Sequence, residues 1–254
     1  MQTFRPPVSR EWGAWGMALT PAALALLTAG PTIAAVLACL AWILGYSGRG
    51  SVEVLTGTSA GAALGHVDRR TAWLWLGISG LPASLIGLWL LIERPQLRPI
   101  MAALLVVGIG LAFLVARKKE RSLLMRAGAA VALSWGAPLV WIAARGSLDR
   151  MGWALWASAV AFFLGSVLRV RARSRERRNP FFRLLSPLLH ALMTAGLFWL
   201  LPAAGLAFLP AALFALYTSL GEPKTISLAV IGKQELRLVG IWTVLCLVSL
   251  LLLQ

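Results

Sequence analysis

The chain has 254 residues, of which 59% are hydrophobic and only 13% charged, with a mean hydropathy of +0.80. A soluble domain carries about 25% charged residues, so half the usual solvating surface is missing and a soluble fold is excluded. The net charge of +15 would point to nucleic acid in a soluble protein, but in a chain this apolar it first reports which side of a membrane each arginine occupies.

A membrane-crossing helix needs about 17–25 mostly apolar residues. Taken in chain order, nine segments qualify: 13–29, 31–47, 71–93, 99–117, 123–145, 152–170, 181–201, 203–219 and 236–253. They predict an all-α, polytopic transmembrane bundle, a single domain over residues 1–254. Gly30 and Pro31 make the first two a tight hairpin, and Pro202 does the same for the seventh and eighth. Residues 1–29, with Arg5 and Arg10 before an apolar run, have the outline of a signal peptide. No small-x-small site stands before Gly30, so the segment is read as a retained span. Pro21, Pro82, Pro138, Pro187 and Pro210 fall inside spans, and Ser79–Pro82 and Trp135–Pro138 are the expected break points. The 12 tryptophans suit the membrane–water interface.

Residues 48–70, GRGSVEVLTGTSAGAALGHVDRR, form a long connection. GTSAGAALG is too small and polar to span, so a short amphipathic or re-entrant helix is expected there. Its glycines do not form the GxxxxGK[ST] pattern of a phosphate loop.

The cations fix an orientation. With the N-terminus inside, 20 of the 24 lysines and arginines fall on the cytoplasmic side. Only Arg94, Arg98, Arg145 and Arg150 fall outside. This split predicts nine spans with the C-terminus outside.

The densest cytoplasmic cluster is RVRARSRERRNPFFR, residues 169–183, with seven arginines and one glutamate. On a helix, Arg169 and Arg173 share a face, and Arg171 and Arg175 lie on roughly the opposite one. One reading is a collar whose guanidinium groups reach lipid phosphates on several sides. The sharper reading turns one face inward to bind an anionic headgroup, because the arginine fork matches phosphate oxygens. Nucleic acid is not the expected partner: the arm is short, tethered at both ends and without stacking aromatics.

Ionisable groups within spans are costly and draw functional attention. His190 sits near the middle of the seventh span and Glu11 at the entrance of the first. Tyr217 and Glu222 lie at the end of the eighth. His190 is either a neutral imidazole bonded to a neighbouring helix or a ligand or proton-handling group. No second intramembrane histidine exists for bis-His haem, and Cys39 and Cys246 each lie alone in an apolar run, so no cofactor, metal or disulfide framework is expected.

REWGAWGMALTP, residues 10–21, resembles the opening of the YwiC-like family of bacterial integral membrane proteins, which begins with Glu-His-Gly-Ala-Trp. Glu11, Gly13, Ala14 and Trp15 match, and Trp12 stands where the histidine would be. Lys233 and Glu235 followed by LVGI, and the arginine-rich end of the sixth span, are similar too. The resemblance implies a multi-pass protein of the bacterial inner membrane, with an architecture similar to UbiA-type intramembrane prenyltransferases. Those enzymes hold Mg²⁺ with two aspartate-rich motifs in the connections after helices 2 and 6. Here those connections offer Glu53 and Asp68, fifteen residues apart, and Glu176, so Mg²⁺-dependent prenyl transfer is not expected.

The reading that follows is a protein binding an anionic lipid or an isoprenoid- or quinone-like amphiphile at a cationic cytoplasmic mouth. Arg69, Arg70, Arg169, Arg171, Arg173, Arg175, Arg177 and Arg178 would form the mouth, with Glu11 and His190 as acid/base or orienting groups. The alternatives are a noncatalytic subunit or assembly factor contacting membrane-protein partners, and a small-anion or amphiphile transporter. No internal repeat favours the last.

Overall fold

The computed structural model describes residues 7, 12–58, 64, 67–117, 122–221 and 226–253. All regular structure among them is helical. In lipid no water satisfies a bare peptide group, so an apolar run closes its own hydrogen bonds as a helix.

Chain order gives α1 (Trp12–Ala29), α2 (Ile33–Ser47), a short α3 (Arg49–Thr56) and α4 (Arg69–Glu93). A 3-10 turn at Pro95–Leu97 leads into α5 (Arg98–Ala116). Then come α6 (Leu123–Ser134), α7 (Gly136–Arg145), α8 (Arg150–Ser174), α9 (Pro180–Leu200), α10 (Pro202–Leu220) and α11 (Leu228–Leu251). With α6 and α7 counted as one broken span and α2 extended through α3, eight segments among the described residues are long and apolar enough to cross a membrane; α1 is a shorter apolar helix.

Short polar side chains start the helices. Thr32, Asp68, Ser122, Asp149, Asn179 and Ser227 accept first-turn amides of α2, α4, α6, α8, α9 and α11. Each satisfies one donor that a helix start leaves orphaned. Gly146, at φ +80°, closes α7 in the left-handed region, where a side chain would be strained.

The helix expected over 123–145 breaks at Trp135, as the Trp135–Pro138 signature predicts; the Trp135 amide turns back to the Ala132 carbonyl. The second expected break, at Ser79–Pro82, is absent, and α4 runs on through Pro82. Proline there deletes one helical bond, which a long helix survives. A short helix does lie between spans 2 and 3, but at Arg49–Thr56, ahead of GTSAGAALG where one was expected, and most of GTSAGAALG lies outside the described residues. The last helix begins eight residues before the expected Leu236, so Glu235 lies within it.

α8 is central. It packs on α1, α6, α7, α9, α10 and α11, and 61% of its apolar stretch is buried, against 6% for Pro95–Ala116. α4 packs on α2 and α3, and α5 on α6, leaving Leu81, Leu105 and Val106 outward. The interior is rich in alanine, including Ala22, Ala35, Ala154, Ala159 and Ala207, which lets helices approach closely where lipid removes the hydrophobic drive to associate. Phe162 stacks on Trp242 at 4.9 Å, and the Trp242 indole N–H donates to Ser158 Oγ at 2.9 Å.

Candidate functional site: a buried arginine and a cationic groove

The charged interior lies where α8 and α10 end and α9 and α11 begin. Arg169, only 1% exposed, projects from α8 toward α11. Its Nε and Nη2 donate to the two carboxylate oxygens of Glu235 at 3.2 and 2.8 Å. This is the bidentate fork that makes an arginine–carboxylate pair strong. Its Nη1 meets His190 Nε2 at 2.5 Å. A guanidinium only donates, so His190 Nε2 must present its lone pair, and its proton sits on Nδ1. Nδ1–H donates to the Ser186 carbonyl, 2.6 Å away. Both ring nitrogens are therefore committed, and in this geometry the imidazole orients Arg169.

Packing holds the assembly. The His190 ring stacks on Phe208 at 5.7 Å, and Arg169 lies over the Phe162 ring. A Cβ at Gly165 would stand 2.6 Å from His190 Nε2, so glycine makes room for the imidazole against α8.

One turn further along α8, Arg173 donates to Gln234 Oε1 of α11 at 2.5 Å and lies over Phe214. Its Nη1 is buried and lacks a hydrogen-bond partner among the described residues. Arg183, at the start of α9, donates to the Ser219 and Gly221 carbonyls at 2.9 and 2.7 Å, satisfying the end of α10.

These side chains line a groove of about 590 Å³. Arg169, Arg173, Arg177 and Arg183 form its cationic part. Phe214, Ala215, Leu220 and Ile226 contribute apolar wall, and Tyr217 and Leu220 stand on its exposed rim. Among the described residues, Glu235 is the carboxylate paired with this set, and it pairs with Arg169.

The expected site residues divide by helix face. Arg169, Arg173 and Arg177 line the groove. Arg171 turns away to pair with Glu176 at 3.1 Å and to lie over Phe182. Arg175 and Arg178 are exposed and do not line it. Arg69 and Arg70 open α4, which packs on α2 and α3, and they do not line it either. Glu11 and Glu222 lie outside the described residues. Gly13, Ala14 and Trp15 sit in the first turns of α1, where Trp15 meets Tyr46 edge-on at 4.7 Å.

Sequence reasoning named Glu235 only within the family resemblance, and assigned neither it nor Gln234 to the site. Both lie in the polar first turns of α11, which hydropathy alone assigns to a loop. The available signal was Ser227 before an apolar LAVI run, a helix-start pattern.

Comparison with known proteins places the chain. The family model described as YwiC-like protein matches residues 8–141. The chain is also 29% identical over 214 residues to the uncharacterized protein YwiC of Bacillus subtilis (strain 168), covering 81% of this chain and 83% of that protein. No solved structure matches. The groove, built from α8 to α11, lies beyond the stretch the family model covers. With more than half of its length matched, the chain belongs to the YwiC-like family of membrane proteins.

Proposed function

We propose that this protein binds an anionic amphiphile, a lipid or an isoprenoid-type molecule, in the groove between α8, α9, α10 and α11. The headgroup rests among the arginines and the tail leaves past Tyr217 and Leu220 into lipid. The observation that carries this reading is the lining: four arginines together with apolar wall, in one space of about 590 Å³. A collar serving only to fix topology has no need of a shared groove, and outward arginines such as Arg175 would serve it equally.

The binding is direct rather than metal-mediated, because the groove gathers cations where a metal site needs clustered carboxylates. On this reading the arginine-rich end faces the cytoplasm of a bacterial cell and the membrane is the inner one, as the positive-inside distribution implies.

Native mass spectrometry after gentle extraction tests it. The wild-type protein is expected to carry a phosphate-bearing amphiphile, and the Arg173→Gln/Arg177→Gln variant to lose most of it while remaining folded. An unchanged adduct in the variant sinks the proposal. Stoichiometric protein partners without any amphiphile would favour a subunit of a larger complex instead.

A further inference from the structure

The charge inventory of the groove narrows what it holds. Arg169 is neutralised by Glu235 and acts as a donor without net charge. Arg171, with its own partner Glu176, is not part of the lining. Arg173, Arg177 and Arg183 remain, all lining the groove and none with a carboxylate partner among the described residues. They come from α8, the α8–α9 turn and the start of α9, so three cations converge on one space from three backbone positions.

Resting upon the amphiphile reading, we infer that the groove selects a phosphate carrying about two or more negative charges, a phosphomonoester or diphosphate on an apolar tail, over the singly charged phosphodiesters of the surrounding bilayer. A phosphodiester brings one charge and two non-bridging oxygens, and leaves most of the cationic charge unanswered at the edge of a low-dielectric layer, where mismatch is magnified. A monoester brings close to two charges and three terminal oxygens, one for each converging guanidinium. A diphosphate brings more of both. One donor is free: the buried Arg173 Nη1 has no partner among the described residues, while the Nη2 groups of Arg173 and Arg183 are already bound to protein oxygens. Glu235 gains a defined role. By neutralising the deepest arginine, it brings the charge of the groove's described residues to three and keeps Arg169 fixed with the help of His190.

The test uses the full chain in an uncharged detergent and probes sharing one tail: dodecyl phosphate, dodecyl diphosphate and methyl dodecyl phosphate, with inorganic pyrophosphate as the tail-free control. Affinities come from titration followed by native mass spectrometry. Dodecyl phosphate and diphosphate are expected to bind at least about tenfold more tightly than the methyl ester, since a hydrogen bond to a charged group is worth about a factor of ten or more. The preference of the monoester over its methyl ester should shrink below about pH 6, where the monoester takes up its second proton. Arg177→Gln should narrow the preference to about threefold without moving the melting temperature of the ligand-free protein, and Arg177→Lys should retain most of it.

Equal binding of monoester and methyl ester overturns the charge selection and leaves the amphiphile reading standing. Pyrophosphate binding as tightly as dodecyl diphosphate overturns the amphiphile and supports the charge selection. Failure of every probe to bind overturns both.

Discussion

At the scale of single residues, Arg169–Glu235 is the buried ion pair among the described residues. Both side chains are withdrawn from water, with 0% and 10% exposure. Breaking such a pair strands a charge, whereas replacing both partners with apolar groups removes the desolvation cost along with the attraction. Glu235→Gln is therefore expected to cost about 3–5 kcal/mol of stability, and the double variant Arg169→Met/Glu235→Leu far less. Unfolding in micelles measures both; equal losses in the two variants would refute the coupling. This is also the residue pair least legible in the sequence. The run from Arg169 to Arg183 announces itself, yet nothing local tells Arg169 from Arg171. Helical periodicity separates their faces, and only the position of α11, 66 residues away, makes one of those faces inward.

At the scale of helices, several arginines act on carbonyls rather than carboxylates. Arg145 donates from Nε to the Ala29 carbonyl at 3.1 Å and from Nη2 to the Thr28 carbonyl at 3.4 Å, closing the end of α1. Arg150 donates to the Leu200 carbonyl, in the last turn of α9, at 2.8 Å. Arg98 reaches the Leu91 carbonyl of α4 at 3.3 Å. These are three of the four arginines that the charge distribution assigns to the outer side. Their placement has a structural cause: a helix end has unsatisfied carbonyls and a negative dipole, both answered by a cation. Arg145→Met should thus destabilise the protein by about 1–2 kcal/mol and loosen the last turn of α1, read by unfolding and by amide exchange near Ala29. A variant with unchanged exchange there would discard the capping role.

Asp68 does the corresponding work at a helix start. Hydrogen bonds from Thr71, through its side chain and its backbone N–H at 2.7 Å, hold the carboxyl below its ordinary value of 3.8. A depressed folded value means stability that is present above 3.8 and lost as pH falls through the lowered value. Protection of the Thr71 amide, corrected for intrinsic exchange, should fall on acidification into that range. Asp68→Asn, which caps without titrating, should abolish the pH dependence.

For the whole molecule, the apolar segments and their order follow from hydropathy because each span satisfies its own backbone. Orientation is a separate matter, set by the lysines and arginines flanking the spans. A C-terminal alkaline phosphatase is expected to be active and a C-terminal green fluorescent protein dark in a bacterial host. The opposite pair of signals would reverse the orientation and move the groove to the outer face.

The sequence by itself determined an all-helical membrane bundle, the proline hairpins and the crowding of arginines into a few connections. These are local properties: a run of apolar residues, a proline, a cluster of charge. The polar start of α11 was hidden from the same reasoning, because Lys233, Gln234 and Glu235 lower the hydropathy of two turns that are nonetheless helical. Tertiary structure alone decided that α8 lies at the centre, that α11 brings a carboxylate to Arg169, and that Arg173, Arg177 and Arg183 share one groove. Those outcomes depend on which helix faces meet across the bundle, and packing of small residues sets that, not the character of any one segment.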